Sequence, residues 1–197
     1  MKGLSVAFHP LLMPTFTFLV INTALPDLVR PIGWIMLPFL FITTFLIPLF
    51  GVSALRFSGT ISSMTLEKRE ERFLPFFFVM VFYAITTVMF ILKIEVDGAI
   101  SIMLIATTAL IFLLMMISLV FKISIHAAGM SGTVGFLLAL CFNHPESAML
   151  YYLILALILA GAVMSSRLYL NAHTPNEILS GCFVGLMTCF GSLYFFG

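Results

Sequence analysis

The sequence predicts an all-α, polytopic transmembrane helical bundle of about six to seven spans, formed as one integral membrane domain over residues 1–197. Three observations carry this. The chain is 62% hydrophobic and only 9% charged, with mean hydropathy +1.21, whereas soluble domains hold about 25% charged residues. Its apolar runs reach roughly 20 residues, the length that crosses a hydrocarbon core about 30 Å thick. Charged residues are almost all confined to the connections between those runs. A net charge of +1 provides no clustered basic face for a nucleic-acid backbone, so no nucleic-acid partner is expected.

Seven apolar segments follow in order, over residues 5–25, 32–55, 73–92, 99–121, 127–142, 148–165 and 176–196. The first carries Pro10 and Pro14 and no small-residue cleavage site, so it reads as a retained helix rather than a signal peptide. The second and third are continuous apolar runs, and the 22 Phe residues of the chain suit packing and lipid contact. The fourth spans without interruption. The fifth is short and holds Gly129, Gly132 and Gly135, which suits close packing because small residues let helix backbones approach inside lipid. Pro175 starts the seventh. Cys141 and Cys182 fall in apolar runs and no CxxC spacing occurs, so neither a disulfide framework nor a zinc site is expected.

The connections divide into two kinds. Residues 26–31, 93–98 and 143–147 are short polar turns. The other three hold Arg56 and the run Leu66 to Arg72; Lys122-Ile123-Ser124-Ile125-His126; and Ser166-Arg167 through His173 to Glu177. These are connections 2/3, 4/5 and 6/7, so strict alternation of spans puts all three on one side of the membrane. Two His, several Lys and Arg and a carboxylate therefore converge on one face, each expected at a helix N-terminus, where free N–H groups and the dipole favour an anion.

Such a set suits a phosphate group. Arg167 can grip two oxygens, and Lys acts as a point charge. Imidazole can attack phosphorus or protonate a leaving oxygen. Glu177, one helical turn after His173, can accept its N–H and fix its tautomer; the set is complete without a metal or other cofactor. Blander roles stand beside these: interfacial anchors for the run Lys68 to Arg72, and a helix cap for Ser124. His9 and His144, each beside a proline, read as turn residues.

Ser166-Arg167, five residues, His173, three residues, Glu177 resembles the third signature of the type-2 phosphatidic acid phosphatase (PAP2) superfamily, with Glu for the usual Asp. Ser124 and His126 supply half of the second signature, Pro-Ser-Gly-His. Lys68, Arg72 and Pro75 supply the residue types of the first in order but not in spacing. The resemblance covers about residues 60–185. It implies that His173 attacks phosphorus, Glu177 orients it and His126 protonates the leaving group, while Arg167, Lys68, Arg72 and Ser124 bind phosphate oxygens. Lys122 is a candidate replacement for the cation missing from the first signature.

The expected activity is a metal-independent phosphatase for a lipid phosphate or diphosphate, phospholipid or isoprenoid, acting through a phosphohistidine. The alternatives are a lipid phosphotransferase, or a protein that binds or transports a phosphate headgroup without chemistry. The side of the membrane stays open. Seven of nine basic residues lie on the side of the three connections, which points to the cytoplasm; the family resemblance implies the outer face of a bacterial inner membrane.

Overall fold

The computed structural model describes residues 3, 7–63, 69–94 and 96–197. Among them the chain is all helix, without a strand. Seven helices follow in order: α1 (Pro10–Ala24), α2 (Gly33–Phe57), α3 (Phe73–Ile94), α4 (Gly98–Ser118), α5 (Ile125–Asn143), α6 (Met149–Tyr169) and α7 (Pro175–Phe196). The last six are long and apolar enough to cross a membrane. Their large apolar side chains point outward, as Trp34, Ile35, Phe50, Phe183 and Phe195 do, which is the arrangement lipid favours and water does not.

The first segment is shorter than the sequence suggests. It opens with a 3₁₀ turn, Pro10–Leu12, before the α-helix Met13–Ala24. Pro10 has no N–H to continue a helix backward, and Pro26 opens a separate turn just past its end. At about 1.5 Å per residue, α1 falls short of the hydrocarbon thickness. It still returns the chain to the opposite end of the bundle, so the alternation of connections is unchanged.

Two helices contain a π segment. In α2 it spans Ile42–Leu46, between Pro38 and Pro48. Pro48 cannot donate to the carbonyl four residues back, which breaks the helical ladder there. In the same segment the buried Thr44 satisfies its hydroxyl by donating to Leu40 O at 2.8 Å.

The core sits around α5, the most buried of the six long helices. It packs chiefly against α7 and α6. The seam with α7 is built from glycines: a Cβ on Gly185 would run into the carbonyl oxygen of Ala128, and one on Gly181 would lie 2.5 Å from Ser124 O. Inside lipid such backbone contact supplies the packing that the hydrophobic effect does not. All three cysteines are free: Cys141, Cys182 and, buried in α7, Cys189.

Candidate active site

The start of α7 organises one half of the site. Thr174 is its N-cap and Pro175 its first residue. Thr174 Oγ1 accepts the Glu177 N–H at 3.4 Å, and Glu177 Oε2 accepts the Thr174 N–H at 3.4 Å, a capping box. That oxygen also accepts His173 Nδ1–H at 2.7 Å. It faces Lys122 Nζ at 3.7 Å, and Lys122 in turn donates to Ala172 O at 3.2 Å. One carboxylate oxygen thus fixes the ring, the helix start and a cation. The preceding turn needs a left-handed residue, and Asn171 supplies it with φ 50°.

The second half comes from α5. Ser124 is its N-cap, with Oγ accepting the Ala127 N–H at 3.4 Å. The Ser124 backbone N–H donates to Glu177 O at 3.1 Å, which ties the starts of α5 and α7 together. His126 lies two residues on, in the first turn of α5.

His126 and His173 open onto one cavity of about 420 Å³. Arg72, just before α3, and Arg167, in the last turn of α6, line it too. Beyond this polar end the walls are almost wholly apolar, formed by residues such as Val52, Phe76, Met103, Leu110 and Phe136. Arg167 Nε is buried with no hydrogen-bond partner among the described residues. Burial holds the Arg72 guanidinium below its usual range, against an opposing pull from Glu177. Burial also lowers the His173 pKa below 6.5. The Glu177 hydrogen bond and charge oppose this shift, and the Arg167 and Lys122 charges add to it.

Residues 118–197 match the family model described as the PAP2 superfamily.

The C-terminal part of the chain is thus similar to that superfamily. No curated protein and no solved structure matches the chain. The family match covers less than half of the chain. It begins at Ser118, so it takes in the blocks around Ser124 and Arg167 and leaves out residues 60–117, where the sequence resemblance was expected to start.

Parity holds: Arg72, His126, Arg167 and His173 come from three different connections and meet at one cavity. Other expectations shift. Arg167 sits at a helix C-terminus, not an N-terminus, a position where the dipole itself favours a cation. Lys122 and Ser124 do not line the cavity; the first reaches Glu177 from outside and the second caps α5. Lys68 lies outside the described residues. Glu177, which stands where the resemblance has Asp, reaches the His173 ring directly at 2.7 Å.

Sequence reasoning missed two things. Thr174-x-x-Glu177 is itself a capping-box signature, readable inside the longer motif. His9, read as a turn residue, lines the same cavity with its ring 5.9 Å from that of His126; alternation of the seven segments already places the start of α1 on this side.

Proposed function

We propose that the protein hydrolyses a phosphate ester or diphosphate carried on an apolar chain, with His173 as nucleophile. The observation that carries this reading is the cavity: a polar end holding His173, His126, Arg72 and Arg167 runs on into apolar walls between the helices, which suits a charged headgroup attached to a hydrocarbon tail. The His173–Glu177 pair leaves Nε2 as the free, unprotonated nitrogen.

In the first step the Nε2 lone pair forms a bond to phosphorus while the bond to the leaving oxygen breaks. His126 supplies the proton that oxygen takes up. Arg72 and Arg167 hold the non-bridging oxygens as charge shifts onto them. In the second step water attacks the phosphohistidine, the P–N bond breaks and His126 takes the water's proton. Lys122 and the capping box keep the Glu177 oxygen in place, and Ser124 holds α5 against α7. The glycines of that seam support the same geometry.

The test is phosphate release from a panel of phospholipid and isoprenoid phosphates by purified protein in detergent with chelator present. Activity is expected to survive chelation and to fall by roughly 10³-fold or more in His173→Ala. Acid-labile phosphate should appear on His173 during turnover. Release that the substitution leaves unchanged would overturn the reading.

A further inference from the structure

We infer that His9 is a third histidine of this site, donating its Nε2–H to the phosphate group of the substrate. The inference rests on the phosphatase reading above for its substrate, but the evidence for His9 is its own. His9 caps the Pro10–Leu12 turn, and its Nδ1 accepts the Leu11 N–H at 3.3 Å. A ring nitrogen accepts only when it carries no proton, so the proton resides on Nε2. The ring therefore offers a neutral donor on its far side from the turn, and it lines the polar end of the cavity with Arg72, His126, Arg167 and His173.

The turn is held from three helices. On α5, Gly129 lies one turn beyond His126, and a Cβ there would meet Pro10 Cβ at 3.2 Å, so the glycine lets the turn settle against the helix. From α3 the buried Tyr83 hydroxyl donates to Leu11 O at 3.2 Å. From α2, Phe45 meets the His9 ring edge-on at 6.1 Å, opposite in kind to a solvent-facing turn residue. A donor fixed in this way costs little further ordering when a phosphate arrives. It also adds a neutral ligand to a site where the sequence supplies no cation at the spacing of the first PAP2 signature.

The test separates ligand from cap. In His9→Asn the side-chain oxygen can still accept the Leu11 N–H but nothing reaches the Nε2 position; in His9→Gln the amide nitrogen reaches it. A donor to phosphate predicts that His9→Ala and His9→Asn lower kcat/KM on a lipid phosphate by about 10- to 100-fold. His9→Gln should recover most of that loss although it, like Ala, gives up the cap on Leu11 and melts slightly lower in detergent than Asn. Titration with inorganic phosphate should show weaker binding in the Ala and Asn variants and near-normal binding in Gln. Wild-type behaviour in Asn with loss in Gln would make His9 a cap and overturn the proposal. So would wild-type kcat/KM in Ala while His173→Ala is inactive. If His173→Ala keeps wild-type turnover, the phosphatase reading fails first, and unaltered phosphate binding in His9→Ala then removes this inference separately.

Discussion

One oxygen atom carries an unusual share of the site. Glu177 Oε2 accepts from His173 and from the Thr174 backbone and lies 3.7 Å from Lys122 Nζ. Burial favours the neutral form of His173, the form that can attack phosphorus, so the acid limb of kcat/KM should have an apparent pKa below 6.5. Glu177 raises the pKa of the ring, and Lys122 lowers it. Glu177→Gln should therefore move the limb to lower pH while cutting the rate by roughly 10²-fold or more, because the tautomer is no longer held. Lys122→Met should move the limb upward, by less, since Lys122 is the smallest of the influences on the ring. A pH–rate profile of the two variants checks both signs. The residues of this dyad were readable from sequence because their spacing is local: four positions on a chain that turns into a helix at Pro175 fall within reach of each other whatever the rest does.

The helices were legible as elements, and their ends less so. Six apolar runs became six long helices because a helix satisfies every backbone group of such a run within the segment itself, as lipid requires. The first run was cut short by Pro10, and the motif at 166–177 proved to straddle a helix end, a turn and a helix start. Hydropathy misplaces such boundaries: the apolar run ends at residue 165, where Ser166 and Arg167 begin, yet the helix continues through them to Tyr169. The capping box makes the start of α7 a testable unit. Thr174→Ala removes a cap, at a cost of about 1 kcal/mol, and releases one of the contacts that hold Glu177. Both a lower melting temperature in detergent and a several-fold drop in turnover are expected, whereas a cap unconnected to the site would lower only the first.

Across the whole molecule, alternation is the property that brings distant residues together. Arg72, His126, Arg167 and His173 are gathered by three connections at one end, and the Asp27–Arg30 turn lies at the other. In a variant lacking the native cysteines, Thr60→Cys and Lys122→Cys should react with a membrane-impermeant thiol reagent from the same side. Arg30→Cys should react only from the opposite side. A split between the first two would break the topology. What parity left unread was the cavity itself and the part His9 has in it, because both arise from how α1 packs against α2, α3 and α5 rather than from any pattern along the chain.

The seam between α5 and α7 has a consequence for how this protein can vary. Its two helix starts are spaced by backbone lying on backbone, with Gly181 against Ser124 and Gly185 against Ala128, so no rotamer change can absorb an added methyl group there. The motif residues depart from the signatures they resemble: Glu177 stands where Asp is usual, and Ile123 and Ile125 stand where Pro and Gly are usual. A methyl group at either glycine would push apart the very helix starts that carry His126 and His173.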